Sequence, residues 1–383
     1  MAQRPALQYK ACRTGKNAVT FQAEATSNAA ALKVDYAPRI TVVGSLNMDM
    51  VTVTGRVPKG GETIMAKSFS TGNGGKGANQ ATAVARLSGT PDHWPAVATV
   101  EMIGAVGKDE FGRRLKQSLA ADGIVVEKVK ECDNVPTGTA TIIVEDETGE
   151  NRILVAAGAN GELETPGKDL VIENLLLVQL ECPLKIVLKY MEITRDMPKN
   201  GEARVILNPS PAVELPADMW KYVDYLVLNE SEAAFLSGIP LNGPFNEDTE
   251  LHKAADVLLR KGAFAVIMTL GGEGVFYKVD NVRYGRFRAK HVKVVDTTGA
   301  GDTFVGAFAV RMARAPHPVL CSDGARDQII GAIEEGIRFG MDAAALTVQK
   351  KGAQDSIPKL EDLPEWTMKS KEWKFVPDWM EWD

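Results

Sequence analysis

Residues that build metal sites and disulfide frameworks are few and scattered. The chain of 383 residues has four cysteines (Cys12, Cys132, Cys182, Cys321) and four histidines (His93, His252, His291, His317), with no CxxC pair. Such spacing fits free thiols in a reducing compartment and supplies neither a zinc framework nor a disulfide scaffold. No uninterrupted apolar run approaches transmembrane length. No long basic block offsets the formal net charge of −6, so neither a membrane nor a nucleic acid is expected as a partner. A small anionic substrate is not excluded, because it feels the local rather than the net charge. What is present is ordinary globular material, 45% apolar and 25% charged. That suffices for a large core, in one big domain or two to three smaller ones.

The most informative stretch is Asp296-Thr297-Thr298-Gly299-Ala300-Gly301-Asp302-Thr303-Phe304. The β-branched run before it, 291–295, reads as a strand, and the small-residue pattern at 304–312 reads as a helix. Two glycines and an alanine therefore sit at a strand-to-helix corner, where backbone N–H groups and the positive helix end form an anion cradle. A carboxylate at the mouth of such a cradle is a poor phosphate ligand alone. Asp302 makes sense there if the cradle stabilises a phosphoryl group in transit while the carboxylate holds the attacking hydroxyl. An ordinary glycine turn with Asp302 capping the helix is the competing reading.

Residues 1–38 lack steady periodicity, and Arg4, Lys10, Arg13 and Lys16 all precede the first acid, Glu24. They read as a disordered N-terminal extension, with a mitochondrial transit peptide as the alternative. The fold is expected to start with the buried strand 39–44. Segments 50–54 and 62–65, and later 139–144 and 151–155, alternate apolar and polar residues as one-sided hairpins do. Between and after them, strand runs (100–104, 175–180, 204–208, 225–229, 265–270) alternate with helical patterns (78–87, 111–122, 231–236, 252–261, 327–341). Alternation of this kind predicts a mostly parallel sheet with helices on both faces. The two hairpins, at about 48–70 and 135–156, then form a small sheet over one edge as a lid. A surface loop insertion is expected at 88–96. The segment 361–383, with Trp366, Trp373, Trp379 and Trp382, reads as a tail docking its indoles on the body.

The second glycine-rich stretch runs Thr71-Gly72-Asn73-Gly74-Gly75-Lys76-Gly77-Ala78-Asn79-Gln80. Gly72, Gly74 and Gly77 satisfy GxGxxG, but a dinucleotide fingerprint should follow the first strand of the sheet, and this one follows the lid. A phosphate-binding Walker loop fails too, because Gly77 stands after Lys76 where Ser or Thr is needed. The stretch is left as a closely approaching backbone that carries Lys76 and Asn79 to a polar ligand. Asn47, Asp49 and Asn79 lie in loop mouths, and Glu181 follows the apolar strand 175–180. Amide and carboxylate groups of this kind suit a polyhydroxyl ligand, whose hydroxyls both donate and accept; taken singly, each is equally a turn or surface residue. Asn229-Glu230-Ser231-Glu232 and Thr269-Leu270-Gly271-Gly272-Glu273-Gly274 also follow strands. Their competing readings are a helix cap and a tight turn.

Taken in order, GSLNMD at 44–49, GGKGANQA at 74–81, QLECP at 179–183, NESE at 229–232, TLGGEG at 269–274, DTTGAGDTF at 296–304 and KGAQDS at 351–356 resemble the ribokinase-like (PfkB) family of carbohydrate kinases. The resemblance runs from about Arg39 to Pro358 and implies a kinase domain over 39–360, an α/β three-layer αβα sandwich with a β-sheet lid that clasps a homodimer. It implies ATP-dependent phosphorylation of D-ribose at the 5-hydroxyl. Kinases for another sugar or a nucleoside, and a catalytically silent sugar sensor, are the alternatives. On this resemblance Asp302 is the base and Gly299, Ala300 and Gly301 the anion hole. Ribose is held by Asn47, Asp49, Gly75, Lys76, Gly77, Asn79, Glu181 and Asp302. ATP lies across Asn229, Thr269, Leu270, Gly271, Gly272, Glu273, Gly274 and Gly301, with Glu232 near hydrated Mg2+. Asp296, Thr298, Thr347, Lys350, Gly352 and Ser356 match a K+ loop, several through carbonyls. Val305 and Met341 depart from the family pattern near the nucleotide. A cytoplasmic setting is expected, with nucleus and mitochondrion as alternatives.

Overall fold

The computed structural model describes residues 9–13, 19–23, 37–89, 98–148, 150–196, 203–245, 248–279, 283–315 and 323–364. The chain divides into two units, Met1–Tyr36 and Ala37–Asp383. In the first, β1 (Tyr9–Arg13) pairs antiparallel with β2 (Val19–Ala23), Tyr9 opposite Ala23. Part of the arm expected to lack structure thus forms a two-stranded ladder. Residues 90–96 of the expected loop insertion and the tail from 365 lie outside the described residues.

The second unit is built on a nine-stranded sheet. Its parallel strands are β3 (Arg39–Val43), β6 (Thr99–Gly107), β7 (Val129–Cys132), β10 (Leu175–Val178), β11 (Arg204–Leu207), β12 (Tyr225–Asn229) and β13 (Ala265–Thr269). The antiparallel pair β14 (Val275–Val279) and β15 (Arg283–Phe287) completes the order β15-β14-β13-β12-β11-β10-β3-β6-β7. Central strands such as Leu175-Leu176-Leu177-Val178 are fully buried, because helices cover both faces and leave no polar side. Alternate residues feed two cores. Ile40, Val42, Leu175, Leu177 and Val227 pack with α1 (Lys76–Leu87), α2 (Glu110–Ala121), α6 (Ala300–Met312) and α7 (Asp323–Thr347). Val43, Leu176, Val178, Leu226 and Leu228 pack with α3 (Leu184–Asp196), α4 (Glu230–Ser237) and α5 (Thr249–Lys261). The three-layer sandwich is therefore formed as expected.

A second sheet, of order β5-β4-β8-β9, forms the lid from β4 (Asn47–Thr54), β5 (Ser68–Gly74), β8 (Gly138–Glu145) and β9 (Asn151–Ala156). The strand expected at 62–65 is not formed. Its place is taken by β5, with Gly74 opposite Asn47 and Ser68 opposite Val53. Residues 62–65 belong to an exposed connection where Arg56 pairs with Glu62 and Met65 is 91% exposed, so their alternation has no face to bury. The run 291–295 is not a strand either. The N–H groups of Val295 and Asp296 donate to the Val348 carbonyl, just past α7 (2.7 and 3.2 Å), and the segment docks there instead of joining the sheet.

Helices α1 and α6 meet at a glycine. A β-carbon on Gly306 would stand 2.5 Å from the Ala83 β-carbon and 2.9 Å from the Gln80 carbonyl oxygen. This closeness lets the start of α1 reach the start of α6. Gly306→Ala is expected to lower stability by roughly 1–3 kcal/mol through overpacking. A urea titration reads this as an earlier midpoint, and an unchanged midpoint would show that the two helices separate without cost.

Candidate active site

Strand ends on one side of the sheet collect the polar groups. In sheet order, Thr269 ends β13, Asn229 ends β12, Asn208 follows β11, Glu181 follows β10 and Asn47 follows β3. A parallel α/β sheet places ligands at this carboxyl edge. Onto it opens the N-terminus of α6. The helix starts from Gly299, held in the left-handed region at φ 79° with no side-chain cap, a conformation that costs glycine little. The N–H groups of Gly301 and Asp302 have no acceptor one turn back within the helix. No atom lies within 4 Å of where a β-carbon on Gly301 would stand, so the cradle is open there.

Asp302 is buried, and each carboxylate oxygen accepts one amide. Asn79 Nδ2 donates to Oδ2 at 2.9 Å, and Gln80 Nε2 donates to Oδ1 at 2.9 Å. Burial pushes the Asp302 carboxyl upward, and Glu181 adds to this. The Lys76 ammonium and the two amides oppose it. Gln80 had no part in the expected site. It also donates to Asn208 Oδ1 at 3.0 Å and accepts from Gln179 Nε2 at 2.5 Å.

The expected sugar ligands gather on the lid side. Asn47 is buried, and its Oδ1 accepts from Asn160 Nδ2 at 2.7 Å. Asn160 is itself fixed by accepting from Leu46 N–H at 2.8 Å. Asn47 is thereby turned to present its N–H groups elsewhere. Asn79 is the complement, since its buried Oδ1 has no partner and is left as an acceptor. Glu181 Oε2 accepts from the Ser45 hydroxyl and from Lys76 N–H (3.0 Å). Asp49 is pushed up to about 7 by burial, then by Glu181 and Asp302, with Lys76 in opposition. Burial would lower the Lys76 ammonium, but Asp302, Glu181, Glu232 and Asp49 outweigh it and hold it above its ordinary value. Four acids thus share one cation. Gly75 and Gly77 flank that lysine at the start of α1.

At β12 and β13 the structural readings hold in part. Asn229 caps α4, accepting from Glu232 N–H at 2.9 Å, while Glu232 accepts from Asn229 N–H at 3.0 Å. The Glu273 carboxylate is held by Phe245 N–H (3.1 Å) and Arg286 (2.7 Å). Leu270 is buried, and Gly274 closes the turn at φ 101°. This leaves Gly271 and Gly272, with open space beside each, as backbone a ligand can approach. At the expected cation loop, Asp296 accepts from Thr298 N–H (2.9 Å), Thr298 Oγ1 (2.7 Å) and Gly352 N–H (2.9 Å). Burial works against its charge, but those donors prevail and hold it below its ordinary value. Thr347 and Ser356 are buried, their hydroxyls donating to the Ala343 and Ala353 carbonyls (3.1 and 2.7 Å). Lys350 N–H donates to the Thr347 carbonyl at 3.1 Å.

A buried carboxylate thus stands beside the open start of α6, and the model of the pfkB family carbohydrate kinases matches residues 37–360. The chain belongs to the pfkB family. Similar relatives include the ribokinase of Schizosaccharomyces pombe, 43% identical over 84% of this chain and 95% of that protein. Among solved structures, Arabidopsis thaliana ribokinase complexed with ribose and ATP superposes with a TM-score of 0.71 at 31% identity, covering 85% of this chain and 97% of that one. Cryptococcus neoformans ribokinase in complex with ADP gives 0.68 at 30% identity, covering 85% and 98%.

The acid cluster of this pfkB protein has a stability signature. With Asp49 raised from 3.8 to about 7, its neutral form favours folding fully below 3.8, and that advantage is lost as pH rises to 7. Asp49→Asn is therefore expected to raise Tm more at pH 8 than at pH 5. Calorimetry at both values checks this; an equal gain would place Asp49 outside the cluster.

Proposed function

We propose that the protein transfers the γ-phosphoryl group of ATP to the 5-hydroxyl of D-ribose, giving D-ribose 5-phosphate and ADP. The observation that carries this reading is a buried carboxylate, Asp302, pinned at both oxygens beside the open amides of α6. Asn47 offers N–H donors, and Asn79 Oδ1, Asp49 and Glu181 offer acceptors. Together they match a ligand with several hydroxyls. Asp302 orients the 5-hydroxyl first and takes its proton late, as the O5–P bond forms and the bond to the β-phosphate breaks. A carboxylate is a weak base for an alcohol, so positioning and charge stabilisation supply most of the acceleration. The amides of Gly301 and Asp302 receive the developing charge on the phosphoryl oxygens, with Lys76 beside them, while the Ala300 N–H is held by the Thr297 carbonyl at 3.3 Å.

Mg2+ bound with the nucleotide would neutralise phosphate charge, and Glu232 suits it through water, since capping occupies only one of its carboxylate oxygens. The loop joining Asp296 to Gly352 suits K+. The inward-turned hydroxyls of Thr347 and Ser356 leave carbonyl oxygens and one carboxylate, a donor set for a large monovalent cation. Bound there, K+ would stiffen the cradle without touching the sugar. A homodimer through the lid follows the family resemblance and is supported by the exposed Ile153, Leu154 and Val155 of edge strand β9, a surface that pairing would cover. Among the described residues no helix is long and apolar enough to cross a membrane.

In an ADP-release assay with ribose, Asp302→Asn is expected to lower kcat roughly 10²–10⁴-fold with ribose binding retained. Wild-type turnover by the folded variant would sink the assignment of the base. Turnover in KCl is expected to exceed that in NaCl at equal ionic strength, a control needed because screening alone alters nucleotide binding. Asp296→Asn should erase the difference; superimposable salt curves for the unaltered enzyme would remove the cation loop.

A further inference from the structure

Gln80 is fully buried, and three of its four hydrogen-bonding positions, both donors among them, are committed inside the protein. One amide hydrogen goes to Asp302 Oδ1 and the other to Asn208 Oδ1, while Oε1 accepts from Gln179. No donor is left for a substrate, and its oxygen already accepts from Gln179, in contrast to its neighbour Asn79 with its free Oδ1. The direction of the Gln80 amide is set from the backbone outward. The Val227 carbonyl accepts from Asn208 Nδ2 at 2.9 Å, so Asn208 must turn its oxygen toward Gln80. Gln80 must then aim its NH2 at Asp302. Asn208 follows β11 and Val227 lies on β12, toward the proposed nucleotide side, while Gln179 follows β10, toward the proposed sugar side.

We propose that Gln80, oriented by Asn208 and Gln179, is a positioning residue that fixes the rotation of the Asp302 carboxylate and keeps it ionised for the incoming sugar hydroxyl. This rests on the ribose kinase reading above. A carboxylate has about four acceptor directions, and the amides of Asn79 and Gln80 occupy one on each oxygen. The directions left over are those the hydroxyl can use. If Gln80 only tied α1 to the sheet, its loss would cost stability and leave the chemistry alone.

The test compares Gln80→Leu and the isosteric Gln80→Glu with the unaltered enzyme. Losing one donor to a charged acceptor should lower kcat roughly 10- to 100-fold, with KM for ATP unchanged. The pH profile separates positioning from mere structure. Asp302 is faced by Lys76, Asn79 and Gln80 from α1, by Glu181 after β10, by Asp49 from β4, and by the N-terminus of its own helix. Lys76 in turn feels Glu232. Removing the Gln80 donor destabilises the charged carboxylate, so the acid limb of kcat should move to higher pH. Gln80→Glu, which adds a carboxyl, should move it further. A folded variant with an unshifted limb, or one that loses only Tm, overturns the proposal. If the unaltered enzyme releases no ADP with ribose, the substrate reading fails by itself. The crystal structure of Gln80→Leu then decides the inference: a rotated Asp302 carboxylate supports it, and an unmoved one overturns it.

Discussion

Burying Asp302 at the start of α6 is the constraint from which much of the structure follows. An unpaired buried carboxylate is costly, and Glu181 and Asp49 add like charge nearby. The remedy comes from one turn and a half of α1. Lys76 supplies the charge, and Asn79 and Gln80 supply a donor to each oxygen. For α1 to reach that far, it must pass α6 at near-contact distance, which explains the glycine at 306. The excess of negative charge lies around Asp49 and Glu181 on the lid side, and the open amides lie at the start of α6. On the proposed reading, a neutral polyol and a polyanion are thereby directed to different ends of one site.

The lid follows from the same arrangement. β4 carries Asn47 and Asp49, and β5 runs directly into Lys76 at the start of α1. Any tilt of the lid is therefore felt at the groups around Asp302. The parallel pairing of β4 with β8 brings Gly138 opposite Asn47, and the turn after β9 supplies Asn160 to orient that amide. The lid thus also holds the backbone that orients Asn47, a ligand of the sugar on the proposed reading.

The parallel sheet was legible because fully apolar runs such as Leu175-Leu176-Leu177-Val178 alternate with helical patterns. The cradle was legible because two glycines, an alanine and an aspartate have few other uses together. Local pattern failed where tertiary contact decided. The run 291–295 has strand composition but docks on Val348, and 62–65 alternates without a face to bury. The glycine-bearing Thr71-Gly72-Asn73-Gly74, read only as a closely approaching backbone, is lid strand because Asn47–Met50 pairs with it. Helix α3 and the antiparallel pair β14–β15 had not been anticipated. Gln80, Asn160, Gln179 and Asn208 escaped as site residues because each acts on a neighbour about 100 or more residues away. One signal was present: polar amides inside apolar elements need partners, and Gln80 sits among alanines on α1.

The most direct measurement is the phosphorus NMR spectrum of the product formed by purified protein with ribose, ATP and Mg2+. Transfer to the hydroxyl held by Asp302 should give a new phosphomonoester resonance coupled to the two protons of C5. No new resonance, or one coupled to a single ring proton, would mean that the pocket presents a different hydroxyl or none. Either result would contradict the assignment of this site.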